Sequence, residues 1–357
     1  MPSGLIFFTG FPGFIGRRVV RGLLERNPDA RVAALVEPKQ ADAANRAAAE
    51  LDASRIEILP GDISQRGLGL EPAVLDRLRG EMTHAYHLAA IYNLAVPLDL
   101  AERVNVEGTG NVVALCASCT RLERLHYVST AYVAGDRRGV VYEHELVCGQ
   151  GFKNHYESTK FQAELWVREW MHRVPTTVYR PAIVVGDSRT GETQKFDGPY
   201  YMLRVIARSA RQHVPIPQFG ASDAPFNVVP VDFVVDALLS AADEKRTAGE
   251  TLHLVDPEPV TAKDVLTELA RAYADREPSF RIPPAVVETS MRLPAVRAAF
   301  GGAPRESIRY LNHSVRFDTR RAEELLPPRC PRFEEYVDPI VRFFRDHEDD
   351  PGFAPSS

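Results

Sequence analysis

The sequence predicts an α/β fold: a doubly wound parallel sheet with a smaller C-terminal lobe interleaved into it. Three observations carry that expectation. Short apolar, β-rich runs alternate with helical periods through the first half of the chain, the pattern of a parallel sheet covered by helices on both faces. The first run breaks into three glycines, Gly10, Gly13 and Gly16, separated by two residues each, and a helical pattern follows at once. After about Gly186 the alternation stops, and a polar loop, a proline-rich connection and proline-interrupted helices replace it.

In order along the chain, strands are expected over residues 4–10, 31–37, 55–62, 83–90, 122–130 and 176–184, because each is a short β-rich run bounded by turn residues. Helices are expected between them over 14–26, 41–51, 71–79, 98–119 and 154–172. A helix over 231–242 and a strand over 251–255 return to the sheet, and the tail "DDPGFAPSS" reads as frayed. Within residues 282–300, apolar side chains suit the lobe's own core better than an acyl tunnel or a membrane surface, since prolines cut any long amphipathic face.

The 357 residues, 45% hydrophobic and 25% charged, suffice for one large α/β domain with a lobe. A formal charge of −5, a pI of about 6.1 and the lack of any basic block exclude nucleic acid as an expected partner. No apolar stretch is long enough to cross a bilayer, and the first strand starts too early for a leader, so a cytoplasmic protein is expected. Cys116, Cys119, Cys148 and Cys330 form no disulfide framework. The C-x-x-C at Cys116 lies in a helical pattern, which places these thiols as small packing residues, with no metal site expected.

The glycine turn is the geometry of a phosphate site. Gly10 can take backbone angles closed to other residues, Gly13 lets the main chain approach a ligand, and Gly16 lets helix and strand pack closely. The helix behind it directs free N–H groups and a positive dipole end at whatever lies over the turn. Further on, Tyr156 and Lys160 stand four apart on one helical face, where an ammonium beside a phenol favours the phenolate. The strand before that helix ends in Ser129 and Thr130, two hydroxyls at the sheet's carboxyl edge. His155 reads as a solvated helix-start residue and Arg180 as structural.

With these residues in hand, the chain resembles the extended short-chain dehydrogenase/reductase family, which implies a Rossmann-type sheet. "TGFPGFIG" resembles its glycine turn, "GD" at Gly61 and Asp62 its adenine-contacting dipeptide, and "HLAA" at His87 to Ala90 its fourth-strand motif. "NVEGT" at Asn105 to Thr109 resembles its asparagine motif, Tyr156 and Lys160 its catalytic pair, and "YRPAIVVG" at Tyr179 to Gly186 the segment lining the nicotinamide. Within the family, "HYVSTAYVAG", "NHYESTKFQAE" and "FNVVPVDFVVDAL" are most similar to the branch of fatty acyl-CoA reductases and terminal thioester reductase domains. The resemblance implies a dinucleotide unit of residues 1–190 plus about 226–256, and a substrate lobe of about 191–225 and 257–357.

The resemblance further implies catalytic roles for Thr130, Tyr156 and Lys160, with Asn105 positioning Lys160 through water and Ser129 as the neighbour sharing the site. The cofactor would lie along Thr9, Gly10, Gly13, Phe14, Ile15, Gly16, Asp62, Ile63, Leu88, Ala89, Ala90, Tyr156, Lys160, Pro181 and Ile183. The branch implies NADP(H), whereas Glu37 after the second strand suits the ribose hydroxyl of NAD(H). Lys39 and Arg46 are available to compensate. The expected reaction is reduction of an acyl thioester, bound to CoA or a carrier, to an aldehyde and in some cases onward to the alcohol. The alternative is an extended dehydrogenase acting on a ketone, secondary alcohol or nucleotide-sugar; an intact Thr130, Tyr156 and Lys160 argues against a cofactor sensor without turnover.

Overall fold

In a computed structural model that describes residues 4–92, 95–219, 223–300 and 302–353, seven strands form one wholly parallel sheet. They are β1 (Leu5–Thr9), β2 (Arg31–Val36), β3 (Ile56–Pro60), β4 (Met82–His87), β5 (Arg124–Val128), β6 (Thr176–Pro181) and β7 (Thr251–Leu254), in the order β7-β6-β5-β4-β1-β2-β3. Strand order reverses between β1 and β4, and in such sheets the ligand crevice opens at that point beyond the strands' carboxyl ends. Register there is tight: Thr9 pairs with Leu35 on one side and His87 on the other. Every residue of β1, β4, β5 and β6 is buried, as a parallel sheet covered on both faces requires.

The helices that cover the sheet follow the expected periods closely. On one face, α1 (Phe14–Arg26) and α2 (Ala41–Leu51) pack over Ile6, Phe8, Val32 and Ala34. The alanines of α2 at 44, 47 and 48 make its inner stripe, small enough to lie close to the strands. On the other face lie α3 (Pro72–Glu81), α4 (residues 98–118) and α5 (His155–Trp170), packed around Phe7, Leu78, Val112 and Ala163. The α4 helix runs through three consecutive stretches, Leu98–Ala101, a π-helical Glu102–Glu107 and Gly108–Ser118. The wide turn holds Asn105, and such turns recur at functional sites. At the start of α5, Asn154 is the cap rather than a helical residue: its Oδ1 accepts the Glu157 N–H at 3.0 Å.

A further hydrophobic cluster is built by α6 (Tyr200–Arg211), α8 (Ala262–Ala274) and α9 (Phe333–His347), with Leu203, Ile206, Leu266, Leu269, Val337 and Ile340 inside it. Between α6 and α8, α7 (Val231–Asp243) returns to the sheet beside α1. Three ladders, Ile183–Val185 with Val228–Pro230, Pro217–Phe219 with Phe280–Ile282, and Gly139–Val141 with Val315–Phe317, tie distant segments together. Pro339 does not interrupt α9, which continues past it to His347. Of the segment expected to pack in the lobe, Val287 and Met291 are buried while Val286 and Leu293 are exposed. Cys116 lies buried in α4, and the Cys119 thiol caps it by donating to the Leu115 carbonyl at 3.2 Å. Among the described residues no helix is long and apolar enough to cross a membrane, and no cluster of ligand side chains could hold a metal.

Candidate active site

The glycine turn connects β1 to α1 at the point where strand order reverses. Gly10 has φ of 92°, and a Cβ there would meet the backbone of Leu88 and Ala89 at 3.0 Å. At Gly16 a Cβ would lie 2.3 Å from the Gly10 carbonyl oxygen, so turn and helix close on each other only without side chains. Gly13 caps α1 with no side-chain bond, and the first turn, with Phe14 and Ile15, carries no acid. The turn is thus a backbone cradle in front of orphan helix N–H donors, and it fits the pyrophosphate of a dinucleotide.

A buried chain of hydrogen bonds braces this cradle. The Ala89 N–H donates to Thr9 Oγ1 at 3.2 Å, Thr9 Oγ1 lies 2.7 Å from His87 Nδ1, and His87 Nε2 lies 3.0 Å from Thr109 Oγ1. Thr109 in turn donates to the Asn105 carbonyl at 2.6 Å. Because Thr109 gives its proton away, it accepts from His87 Nε2–H, and Nδ1 then accepts from Thr9. Burial, aided by the Lys160 charge, pushes His87 down to about 3, so the ring is neutral as this chain demands. The chain connects the glycine turn to the π-turn of α4. His87 and Thr109 lie inside the two motifs recognised in the sequence, but their bond to each other is a long-range contact that spacing does not reveal.

At the carboxyl end of β2, Glu37 forms an ion pair with Lys39 at 2.5 Å, and bonding to Glu37 raises the Lys39 pKa. Arg46 is exposed on α2. Beyond β3, burial resists ionisation of Asp62, but the Ser64 N–H and hydroxyl, both at 2.8 Å, hold its carboxyl below the usual range. Ile63 is buried beneath α4, where its carbonyl accepts from Asn111 at 2.8 Å. Leu88 donates its N–H to Thr9 O at 3.2 Å, while Ala90 is exposed at the crevice rim.

The two hydroxyls ending β5 part company. Thr130 Oγ1 donates to the Pro181 carbonyl at 3.5 Å and accepts the Tyr132 N–H at 3.3 Å, and the same hydroxyl acts on the Tyr156 phenol, drawing its pKa down. Ser129 donates at 2.6 Å to the buried Glu164, which also pairs with Arg180 at 2.7 Å and Arg168 at 2.9 Å. Arg180, 1% exposed, further donates to the Glu145 carbonyl at 2.8 Å, which makes it structural. Ile183 donates its N–H to Asn227 O at 3.3 Å in the short ladder beyond β6. His155 is exposed.

Lys160 departs from its expected partner. Its ammonium donates to the Val128 carbonyl at 2.9 Å and the Tyr127 hydroxyl at 3.1 Å, standing 4.6 Å from the Tyr127 ring centre. Burial lowers the lysine to about 8 against the pull of Glu164. Tyr156 is accordingly not driven toward phenolate: burial raises it to about 12, and the Thr130 hydroxyl is what draws it back. A phenol so held keeps its proton at neutral pH, the state a proton donor needs. Asn105 reaches the same helix through Thr159, donating to its Oγ1 at 3.1 Å while its Oδ1 accepts the Ile91 N–H at 2.9 Å. Tyr92, half exposed, meets Tyr156 edge-on at 5.1 Å.

Set beside known proteins, residues 8–238 match the family model described as male sterility protein. The chain belongs to that family. That membership bears out the resemblance to the extended short-chain dehydrogenase/reductase family, in the branch of fatty acyl-CoA reductases and thioester reductase domains. The chain is 29% identical over 287 residues to the nonribosomal peptide synthetase asaC of Aspergillus flavus, covering 74% of this chain and 27% of that protein. To the fatty acyl-CoA reductase wat of Drosophila melanogaster it is 26% identical over 287 residues, 69% of this chain and 55% of the relative. The chain therefore spans only a part of the length of these relatives.

Among solved structures, this family member is similar to the terminal R domain from the myxalamid PKS-NRPS biosynthetic pathway, with a TM-score of 0.83 and 26% identity, covering 100% of this chain and 94% of that one. A UDP-glucuronic acid 4-epimerase from Bacillus cereus in complex with NAD shares the fold at a TM-score of 0.69 and 17% identity, over 96% and 99% of the two chains.

Proposed function

We propose that this protein reduces an acyl thioester, carried on CoA or on a carrier protein, to an aldehyde with NADPH. The observation that carries the reading is the likeness to the myxalamid R domain across the whole chain, lobe included, at a TM-score of 0.83. Epimerases of the same fold match less well. The Thr130 and Tyr156 pair at the end of β5 supports it, since two convergent hydroxyls can hold a carbonyl oxygen where negative charge develops.

A nicotinamide dinucleotide held along the glycine turn, Asp62 and Lys160 would supply the hydride. The Thr130 and Tyr156 hydroxyls orient the thioester carbonyl, and the proton that meets the developing oxyanion comes from Tyr156 Oη. Lys160, fixed to Val128 and Tyr127, holds the ribose side of the site. Thr130 must give up its 3.5 Å bond to the Pro181 carbonyl to donate to the substrate oxygen, whereas the Tyr156 phenol retains its proton. The resulting thiohemiacetal then expels thiol and leaves an aldehyde. NADPH is favoured over NADH because Lys39 already pairs with Glu37, the carboxylate that follows β2.

Incubation with a medium-chain acyl-CoA and NADPH tests the reading. One thiol released per NADPH consumed means an aldehyde product, and one per two means an alcohol. Turnover of ketones or secondary alcohols with no thiol from any acyl-CoA or acyl-carrier substrate would reject it.

A further inference from the structure

The two segments that carry Thr130 and Tyr156 are clamped by one side chain from the far end of the chain. Tyr310 ends the short helix Ser307–Tyr310, and its ring meets Tyr132 edge-on at 4.9 Å. Tyr132 is the residue whose N–H bonds Thr130 Oγ1. On its other side, the Tyr310 hydroxyl donates to Glu157 Oε1 at 2.7 Å and accepts from Asn154 Nδ2 at 2.8 Å. Glu157 follows Tyr156 directly, and Asn154 is the cap of the same helical turn. Glu157 is wholly buried, and Lys153 meets it at 2.8 Å while also donating to the Gly135 carbonyl at 2.5 Å.

A buried carboxylate with several donors is retained only where its partners are fixed, because each partner lost leaves charge without compensation. Glu157 therefore holds Tyr310 in place, and Tyr310 in turn fixes the turn after β5 relative to the first turn of α5. We propose that Tyr310 is a positioning residue for the reaction: it sets the separation of the Thr130 and Tyr156 hydroxyls from the C-terminal segment, coupling that segment to the proton donor. The proposal rests on Tyr156 being the proton donor. Lys153 and the Asp136–Gly151 bonds, at 2.8 and 2.9 Å, lace the same two segments independently, so the fold does not depend on the Tyr310 hydroxyl.

Tyr310→Phe keeps the ring against Tyr132 and removes only the hydroxyl. Displacement of catalytic groups by about 1 Å can cost on the order of 10²-fold, so kcat should fall about tenfold or more, with KM for substrate and dinucleotide affinity within about twofold. In a Tyr156→Phe background the same substitution should cost nothing further, because its effect passes through the phenol. Rates are read as NADPH oxidation with whichever carbonyl substrate the wild type reduces. Failure of the thioester reading would then appear as missing thiol from the wild type, and failure of Tyr156 as donor as an active Tyr156→Phe enzyme. Should Tyr310→Phe not fold, Asn154→Ser keeps a helix cap while deleting the amide that donates to Tyr310, and the same split in kcat is expected. A kcat within about twofold of wild type, or an equal loss in the Tyr156→Phe background, overturns the proposal.

Discussion

Ser129 Oγ donates to Glu164 Oε2 at 2.6 Å, while the adjacent Thr130 Oγ1 donates to the Pro181 carbonyl at 3.5 Å and draws down the Tyr156 pKa. Two neighbouring hydroxyls on one strand end point to opposite neighbourhoods, as successive residues of a strand do. Thr130→Ala should therefore lower kcat on the order of 10²-fold, the scale of one lost oxyanion donor. Ser129→Ala should leave kcat within a few-fold but cost roughly 1–3 kcal/mol of stability, because the buried Glu164 loses a donor. Initial rates and urea unfolding on both variants separate the roles; a larger rate loss in Ser129→Ala than in Thr130→Ala would reverse the assignment.

On the proposed mechanism, Tyr156→Phe removes the proton donor and little of the dinucleotide site. Turnover should drop on the order of 10²–10⁴-fold, with dinucleotide binding by fluorescence titration within a few-fold. Lys160→Ala should damage both binding and rate, and it should also destabilise the fold, since the Val128 carbonyl and Tyr127 hydroxyl lose a buried donor. A Phe variant retaining more than about a tenth of the wild-type rate is incompatible with general-acid catalysis by this residue.

What the sequence made legible were features with a local period or a local spacing. All seven sheet strands and the helices around them fell within a few residues of expectation, because apolar runs and helical stripes are written in consecutive residues. The glycine turn and the Tyr156–Lys160 spacing were equally plain. Contacts between distant segments were not. That Lys160 turns to β5 rather than to Tyr156, that Glu164 gathers Ser129, Arg168 and Arg180, and that Tyr310 closes on Glu157 are long-range facts with no local signature. The three-residue ladders are too short to show alternation, and α9 continues past Pro339, where a proline in the sequence signals a helix end.

If the dinucleotide's adenosine ribose meets the end of β2 as proposed, the Glu37–Lys39 pair gives cofactor choice two handles of opposite sign. Lys39→Ala would leave the Glu37 carboxylate unpaired at the end of β2, so the NADPH/NADH ratio of kcat/KM should fall. Glu37→Arg removes the carboxylate and adds a donor suited to phosphate, and the ratio should rise by roughly tenfold or more, the scale of one charge-assisted contact. Steady-state kinetics with both cofactors decides it. A ratio unmoved by either change would place recognition of the 2′-phosphate away from this strand end.

Acid stability should turn on Glu164. Burial alone would raise its carboxyl, but the Arg180 and Arg168 guanidiniums and the Ser129 hydroxyl hold it well below the ordinary value of 4.5. The folded state thus binds this proton less readily than the unfolded chain, so the stabilisation is complete above about pH 4.5 and is lost as pH falls toward the folded pKa. Glu143 has the reverse slope: burial raises it to about 7 despite three backbone N–H donors, so its contribution is full below 4.5 and declines as pH climbs through 7. Glu164→Gln should cost about 3–5 kcal/mol at neutral pH, the scale for stripping one partner from a buried ion pair. It should also flatten the loss of stability between about pH 4.5 and 2. Urea midpoints measured across that range for wild type and variant test both statements. Parallel curves, offset by a constant amount, would mean that Glu164 stabilises by shape alone and that the acid transition belongs to another carboxylate.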